Sequence, residues 1–353
     1  MNLNYNLPGT TTPSKARPLM LELPQFEFSK IETTDVSQQA DALPKWDQQY
    51  LQISQGEFHG SLMDLSIGPI QLFRESMNKS VDQHGQPWPN SFVIGVPINI
   101  DGEGFWSGDA LEKNSIFTLR ANTELKFKTP KSSDIFVSVI SLDLFEYYSE
   151  TIETVDPRVA MALNGVESAS DALCHAMRMR CNMLFSVAQK NPEALASPAV
   201  KRALLNDFMT GIFEAIYGLG KVTPHQSRQN VHRYIVERAR DYILSRKENP
   251  PTVIEICEEL KISRRTLHYG FWKVLGINPV TYLRYLRLNG VRRDIISSNG
   301  ESVTIGDIAA NWGFWHMGMF SIYYKQLFGE TPSATRRSAP KPSVIRWTES
   351  PPH

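Results

Sequence analysis

Hydrophobic and polar positions follow two different patterns along this chain. Between Phe58 and Leu142, short apolar runs such as SFVIGVPI and IFVSVISL alternate with Gly, Pro, Asn and Asp. Strands separated by turns produce this spacing, which predicts a small β-sandwich or barrel. From residue 143 the apolar positions recur every three or four residues, which indicates helices over about 144–153, 169–189 and 198–217.

The carboxyl-terminal part of the chain contains one structural unit twice. VIEICEELKISRRTLHYGFWKVLGINP and IGDIAANWGFWHMGMFSIYYKQLFGETP share apolar, small and glycine positions at a constant offset of 53 residues. Leu267 falls on Phe320, Phe271 on Tyr324 and Gly276 on Gly329. The pattern is typical of a helix–turn–helix, which offers one helix to a DNA groove. Two copies predict a sequence-specific DNA-binding regulator that reads two grooves.

These patterns predict an α+β chain. A β-rich sandwich or barrel with dimerisation helices precedes an all-α double helix–turn–helix domain. The predicted segments are a flexible arm over 1–45, a β-rich effector-sensing domain over 46–142, a helical dimerisation segment over 143–222, the DNA-binding domain over 232–337, and a disordered tail over 338–353.

The helices of the middle segment carry an apolar stripe that includes Leu173, Met177, Leu184 and Val187. One small β-domain does not obviously need so much apolar cover, so the stripe favours a homodimer. Packing against the chain's own sandwich is an almost equally good interpretation.

Charge separates the two halves, although the whole chain is neutral. Up to Pro224 there are 18 Lys and Arg against 26 Asp and Glu, and from His225 onwards there are 19 against 11. A basic carboxyl-terminal half suits phosphate binding. We expect a cytoplasmic protein without membrane segments, because the sequence shows neither a transmembrane-length apolar run nor a signal pattern.

In the first repeat, Ser263 is placed to cap the second helix, and the basic and polar residues beyond it fall on the outer face. Two adjacent arginines near a helix amino end suit base-edge and phosphate contacts, whereas the bland interpretation is a solvated basic face. The second repeat is less polar and indicates mainly groove fit and thymine-methyl contact. The predicted DNA-binding residues are Ser263, Arg264, Arg265, His268, Tyr269, Lys273, His316, Met317, Gly318, Ser321, Ile322 and Lys325.

A helix starting at Pro279 joins the two repeats. Its 19 residues span about 28 Å at 1.5 Å per residue, which places the two reading helices near one DNA turn apart. Four arginines lie along this joining helix, and we expect some of them to contact phosphate: Arg284, Arg287, Arg292 and Arg293.

The paired motif and the closing GFWHMGMFSIYYKQLFGETPSATR resemble the AraC/XylS family of bacterial transcription regulators over about 234–337. The resemblance implies promoter DNA and RNA polymerase as partners, activation more often than repression, frequent dimerisation, and an effector bound by the amino-terminal domain. It places base-facing positions at Arg265, His268 and Tyr269 in the first repeat and at Met317, Gly318, Ser321 and Ile322 in the second. Gly270 and Gly290 depart from the family's larger residues, so a loose module is expected.

FHGSLMDLSIGPIQLFRES, WPNSFVIGVP and GFWSG are similar to family members that control ethanolamine utilisation. This similarity covers about 56–142 and implies ethanolamine with adenosylcobalamin as the effector. A regulator of the same family that serves a different small amine or amino-alcohol pathway is the alternative. Glu75, Trp88, Phe105 and Trp106 suit a pocket for a small ammonium ion, whereas sandwich core is the alternative for the aromatic residues. The segment DQHGQP lacks the glycine of a corrinoid-binding signature.

Catalytic and metal motifs are missing from the sequence. The β-rich region holds only His59 and His84 and has no HxH pair for a cupin metal site. No P-loop, GxGxxG or nucleophile elbow is present, so an enzyme is not expected, and neither is a metal. An architectural DNA-binding protein without an effector is the other alternative.

Overall fold

Strands fill the first part of the chain and helices the second, as the hydrophobic pattern predicts. The computed structural model describes residues 26–43, 45–151, 163–220, 231–246, 251–298, 303–337 and 343–348. The strands are β1 Phe26–Thr33, β2 Asp47–Gln52, β3 Gly60–Ile67, β4 Ile70–Met77, β5 Val81–Gln86, β6 Ser91–Asp101, β7 Gly104–Trp106, β8 Asp109–Leu111, β9 Ser115–Leu119, β10 Leu125–Lys128, β11 Ser132–Ser141, β12 Gly165–Ser168 and β13 Ser343–Thr348. The helices are α1 Val36–Asp41, α2 Leu142–Thr151, α3 Asp171–Lys190, α4 Pro198–Gly220, α5 Val231–Leu244, α6 Val253–Leu260, α7 Arg264–Leu275, α8 Pro279–Ser297, α9 Ile305–Asn311, α10 Met317–Phe328 and α11 Pro332–Arg337, with a 3₁₀ helix at Pro192–Ala196.

The strands form two sheets. An eight-stranded sheet has the order β12-β9-β6-β11-β4-β3-β1-β13, and a five-stranded sheet has the order β2-β5-β10-β7-β8. The central strand β11 pairs antiparallel with both β4 and β6, with a register shift against β6 between Asp134 and Ile135. With the helical carboxyl-terminal domain, this architecture confirms the predicted α+β class.

The large sheet is buried on both faces. Along β11, Phe136 and Ile140 pack on the side of helices α3 and α4. The alternate residues Val137 and Val139 pack on the other side, with Trp106 of the small sheet. Successive strand residues point to opposite faces, so the nearly continuous apolar run IFVSVI serves two cores at once.

The prediction of a flexible arm over 1–45 is wrong for its second half, which contains β1 and α1. In β1, Phe26, Phe28 and Ile31 are buried between polar neighbours. Asp35 caps α1 by accepting hydrogen bonds from the amides of Ser37 and Gln38. The polar residues that alternate with these apolar residues hid the strand from the sequence analysis. In the structure, this strand pairs antiparallel with β3. Residues 1–25 lie outside the described residues.

The predicted disordered tail over 338–353 contains the strand β13, which pairs antiparallel with β1 from Ser343 to Thr348. Val344 and Ile345 remain exposed, so the backbone ladder to β1 is the main interaction of this strand. Nothing local in the sequence indicates that ladder, because its partner is at the other end of the chain. The rest of the predicted tail lies outside the described residues.

The apolar stripe assigned to dimerisation is covered within the chain itself. Met177 and Leu184 are buried against the large sheet, and Leu173 and Val187 pack partly buried beside them. The argument from an uncovered stripe is therefore wrong, and the alternative of packing on the chain's own sandwich describes these residues. The segment predicted as helical over 143–222 also contributes a strand, since β12 extends the large sheet beside β9.

Helix α8 is the centre of the carboxyl-terminal domain. Its buried residues Tyr282, Leu286, Val291 and Ile295 point in several directions around the helix. A helix that buries residues in several directions is enclosed by its neighbours, and here both helix–turn–helix units pack on α8. The two units therefore share one continuous core.

Candidate DNA-binding surface and domain interface

The first helix–turn–helix is formed by α6 and α7. Thr252 begins α6 with a capping box that involves Glu255, and α6 ends at Lys261, which adopts a left-handed conformation with φ of 53°. Ser263 then caps α7, as predicted, by accepting a hydrogen bond from the amide of Thr266 at 3.1 Å. Gly276 ends α7 with φ of 72°. Local capping chemistry therefore fixes both ends of the recognition helix.

Helix α7 buries one face and leaves a basic face in solvent. Leu267 and Phe271 are buried in the domain core. The predicted DNA-binding residues are all exposed: Ser263, Arg264, Arg265, His268, Tyr269 and Lys273. Arg264 and Arg265 form no ion pair among the described residues. Both guanidinium groups are therefore available to an anionic ligand. Tyr269 stacks edge-on against His232 of α5 at 4.7 Å between ring centroids.

The second helix–turn–helix repeats this geometry with weaker polar chemistry. Helix α10 covers 317–328, which is the range of α7 displaced by the predicted 53 residues. Its first residue is preceded by His316, which makes no side-chain capping bond. The predicted contact residues are again exposed: His316, Met317, Gly318, Ser321, Ile322 and Lys325. Gly318 has open space where a Cβ would lie, so no packing requirement explains this glycine.

Two tryptophans on this side of the domain were not predicted as site residues. Trp272 of α7 is 66% exposed and Trp315, just before α10, is 77% exposed. Helical periodicity carries the signal for Trp272, because it lies three and four residues beyond Tyr269 and His268 on the same face. An exposed indole at a groove is suited to apolar and stacking contact with bases or sugars.

The arginines of α8 are less available for contact with DNA phosphate than predicted. Arg292 is buried and hydrogen-bonds to Asp35 at 2.6 Å and to Glu330 at 2.7 Å, so the expectation of a phosphate contact is wrong for it. Arg284 lies over the ring of Tyr323 at 4.1 Å, and Arg287 lies over Phe314 at 5.2 Å. Arg293 remains exposed.

The two helix-interior glycines differ in how closely they are packed. A Cβ on Gly290 would meet the ring of Trp312 at 2.3 Å. A Cβ on Gly270 would lie 3.4 Å from the carbonyl oxygen of His232, which is ordinary contact. Gly290 therefore lets the turn of the second unit lie directly on α8, which contradicts the expected looseness at that position, whereas a Cβ would fit at Gly270.

A buried ion pair joins the two domains. Asp82 of β5 is 1% exposed and pairs with Arg240 of α5, which is 4% exposed. Tyr282 of α8 donates a hydrogen bond to the same carboxylate at 2.8 Å. Burial lowers the pKa of Arg240. A buried pair held by a third hydrogen bond is costly to break, because removal of one partner leaves an uncompensated charge.

Further polar contacts extend this interface. Arg292 joins α8 to Asp35. The side-chain amide of Asn289 donates to the backbone carbonyl oxygen of Gln52 and accepts from the backbone NH of Gln52. The Gln52 amide also donates to the carbonyl oxygen of Leu327 at 2.8 Å, and Lys126 pairs with Asp241 at 3.0 Å. These contacts use α5, α8 and the end of α10, so the exposed faces of both recognition helices stay clear of the amino-terminal domain.

The structure does not bring the four predicted effector residues into one pocket. Glu75 is fully enclosed and accepts hydrogen bonds from Gln39, Tyr50 and Gln83, and burial raises its pKa. Trp106 packs in the core between the sheets and donates to the carbonyl oxygen of Thr118 at 2.9 Å.

The other two residues have different surroundings. Phe105 lies beneath the guanidinium group of Arg233 at 5.0 Å. Trp88 lines a separate cavity of about 370 Å³ near Lys45 and Tyr147. The inference from composition failed because residue type alone does not reveal which face of a strand a side chain occupies.

In the described part of the chain, no cluster of three or more His, Cys, Asp or Glu side chains is arranged to hold a metal ion. Over the same residues, no helix combines the length and apolar character needed to cross a bilayer.

Comparison with known proteins identifies the repeated unit as a helix–turn–helix domain. Residues 256–338 match a family model described as a helix-turn-helix domain. The chain is 32% identical over 157 residues to the probable thc operon regulatory protein of Rhodococcus erythropolis, covering 42% of this chain and 45% of that protein. It is 30% identical over 105 residues to a XylDLEGF operon transcriptional activator of Pseudomonas putida, covering 30% of this chain and 33% of that protein.

Among solved structures, a probable AraC family transcriptional regulator from Rhodopseudomonas palustris CGA009 is 26% identical, covering 30% of this chain and 97% of that chain with a TM-score of 0.28. The chain spans less than half the length of the two curated relatives. The matches therefore concern part of the molecule.

Proposed function

We propose that this chain is a transcription regulator of the AraC/XylS type that binds promoter DNA sequence-specifically. The helix-turn-helix match and the two operon-regulator relatives support this proposal. The observation that carries the proposal is the pair of recognition helices α7 and α10, both exposed and both packed on α8. Two reading helices on one rigid core suit two successive major grooves on one side of a duplex. The Pseudomonas relative is an operon transcriptional activator, which favours activation, with RNA polymerase as the second partner.

The proposed contacts divide between the two helices. Arg265, His268 and Tyr269 of α7 supply side chains that discriminate base edges, and Arg264 and Lys273 are placed for phosphate. Met317, Ser321 and Ile322 of α10 supply apolar and weakly polar contact. We therefore assign most of the sequence discrimination to α7.

The amino-terminal domain is the proposed sensor of a small-molecule effector. The similarity of 56–142 to regulators of ethanolamine utilisation makes ethanolamine, alone or with adenosylcobalamin, the first effector to test. The domain interface supports a coupled response, because a ligand that favours one arrangement of the two domains changes how the recognition helices are presented.

An effector-independent DNA-binding protein is the second candidate. The tightly filled core between the two sheets favours it, since the ring centroids of Phe117 and Phe127 lie 4.4 Å and 5.2 Å from that of Trp106. An effector site between the sheets would require these side chains to move.

DNA selection with the full-length chain tests the regulator proposal. We expect repeated rounds from random DNA to enrich two short conserved elements about one helical turn, roughly 34 Å, apart. Affinity for the enriched DNA should fall steeply with salt, because several phosphates are neutralised. Recovery of unrelated sequences, each bound with equal affinity, would contradict sequence-specific reading.

A reporter placed behind the enriched site tests the effector. Expression should rise when ethanolamine is supplied, with or without adenosylcobalamin, and should depend on the presence of the chain. Equal expression under every condition, with DNA binding intact, would support the effector-independent candidate.

A further inference from the structure

Residues 51–57, at the end of β2 and just beyond it, pack against the carboxyl-terminal domain. Ile53 is 4% exposed and lies in the core that the two helix–turn–helix units share, with Leu51 packed beside it. The same residues are tied to their own domain, because the backbone NH of Ile53 donates to the carbonyl oxygen of Ser80 and the hydroxyl of Ser54 accepts from the backbone NH of Ser80. This bridging segment, residues 51–57, therefore belongs to both domains.

The bridging segment contacts the carboxyl-terminal end of α10. Leu327 lies in the last turn of α10, where backbone carbonyl groups have no donor within the helix. Its carbonyl oxygen accepts from the side-chain amide of Gln52 at 2.8 Å and from the backbone NH of Gly56 at 3.0 Å. The contact is close, because a Cβ on Gly329 would lie 2.6 Å from Cγ of Glu57. The amino-terminal domain therefore supplies hydrogen-bond donors to the end of the second recognition helix.

The side chain of Gln52 is itself held in place. It is 1% exposed, and its amide also donates to the carbonyl oxygens of Ser54 and Gly56, both at 2.8 Å. Asn289 of α8 bonds to the backbone NH and the carbonyl oxygen of Gln52, each at 3.1 Å. Buried polar groups with all of these partners have little freedom to move. The carbonyl group of Leu327 is therefore held at a fixed position relative to β2 and α8.

The first recognition helix has no comparable connection. Ser263 and Gly276 cap α7 from within its own domain. Among the described residues, no hydrogen bond or ion pair joins α7 to the amino-terminal domain. Helix α10 is instead preceded by His316, which makes no side-chain capping bond. The position of α10 thus depends on the bridging segment, whereas that of α7 does not.

We propose that Gln52 is a positioning residue for DNA recognition, which holds α10 in place and does not act on α7. The proposal rests on the regulator function proposed above. Met317, Ser321 and Ile322 of α10 offer apolar and weakly polar contacts, which depend on close fit to the groove. A shift of α10 weakens these contacts, while Arg265 of α7 continues to read its own bases. A change in the amino-terminal domain that displaces β2 therefore reaches the DNA through α10 alone.

Fluorescence anisotropy on the full-length chain tests this proposal with three duplexes: the selected site, and the same site with one or the other of its two conserved elements scrambled. Arg265→Ala identifies the element that α7 reads, because only the preference for that element should fall. The remaining element is then the one that α10 reads.

Gln52→Met nearly keeps the length of the side chain and removes its hydrogen-bond donor. The preference for the intact α10 element over its scrambled form should fall at least about fivefold, as expected for loss of one hydrogen bond, while the preference at the α7 element stays within about twofold. If Gln52→Met does not fold, as judged by thermal unfolding, Gln52→Asn takes its place. It keeps the amide but shortens the side chain by one methylene, which withdraws the donor from Leu327, and the same selective loss is expected.

Gln49→Met is the matched control, because Gln49 is an exposed glutamine of the same strand. It should leave both preferences unchanged. Equal losses at the two elements in Gln52→Met would assign Gln52 to the general stability of the chain, and an unchanged preference at the α10 element would show that α10 is positioned without it. Either result overturns the proposal. If wild type fails to distinguish either scrambled duplex from the selected site, the regulator function is overturned as well.

Discussion

Arg264 and Arg265 are neighbours in sequence, yet they begin a helix on which adjacent residues point about 100° apart. Only one of them can face the floor of a groove while the other lies towards its phosphate wall. Arg265 shares a face with His268 and Tyr269, so it is the better candidate for a base edge. The distinction matters because phosphate contacts position the protein, whereas base contacts specify the sequence.

Replacement of Arg265 by Ala should cost about 1–3 kcal/mol of binding free energy on selected DNA and relax the preference at one or two base positions. Fluorescence anisotropy with selected and scrambled duplexes measures both effects. Arg202→Ala, at an exposed arginine of α4, serves as the control and should change neither affinity. Equal losses on the two duplexes would reassign Arg265 to the phosphate backbone.

Asp64 of β3 gives a pH-dependent prediction. Burial raises its pKa to about 6, although the hydrogen bond from Gln71 and the charge of Lys45 act in the opposite direction. The folded state thus holds this proton more tightly than the unfolded chain. Its contribution to stability is therefore present at low pH and lost as the pH rises from the ordinary value of 3.8 through about 6.

Asp64→Asn keeps an oxygen that accepts from Gln71 and removes the titration. The unfolding temperature of wild type should fall relative to that of Asp64→Asn between about pH 4 and pH 7. Differential scanning calorimetry over this range, with Asp101→Asn for comparison, measures the difference. Parallel curves for wild type and Asp64→Asn would show that the carboxyl titrates alike in the folded and unfolded chains.

At the level of elements, α7 and α8 each contain an interior glycine, but the two positions have opposite requirements. Gly270→Ala should raise the free energy of unfolding by up to about 1 kcal/mol, because alanine favours helix and its Cβ meets only ordinary contacts. Gly290→Ala should lower the free energy of unfolding, because the new Cβ would clash with the ring of Trp312. Overpacking of this kind costs about 1–3 kcal/mol. Urea denaturation of the full-length chain compares the pair, and a stabilised Gly290→Ala would mean that Trp312 moves aside freely.

Elements with local signals could be predicted from the sequence. Ser263 and Gly276 mark the ends of α7, and Pro279 marks the start of α8, because caps act within one helical turn. Arg292 shows where such reasoning stops. Its partner Asp35 lies 257 residues away, so nothing near Arg292 distinguishes a phosphate contact from a domain contact. The strand β1 was likewise missed, because its pairing with β3 and β13 is not a local property.

For the whole molecule, the pair of Asp82 and Arg240 provides a test of how firmly the domains are joined. Asp82→Asn leaves a buried guanidinium without its counterion and should cost about 3–5 kcal/mol of stability. The double replacement Asp82→Leu with Arg240→Met should recover much of that loss, because neither charge then remains buried. Urea denaturation measures all three chains, and a double variant as unstable as the single one would show that Tyr282 and its neighbours require the carboxylate.

The ladder between β1 and β13 joins Glu27 to Thr348, so segments from opposite ends of the described chain complete one sheet. During synthesis at about 5–20 residues per second, β1 leaves the ribosome tens of seconds before its partner. Its outer edge is open to other strands throughout that interval, and unpaired edges are templates for aggregation. Glu27, Lys30 and Glu32 place charges along that edge. On the ribosome, the amino-terminal sheet therefore closes last, after the helical carboxyl-terminal domain has already been made.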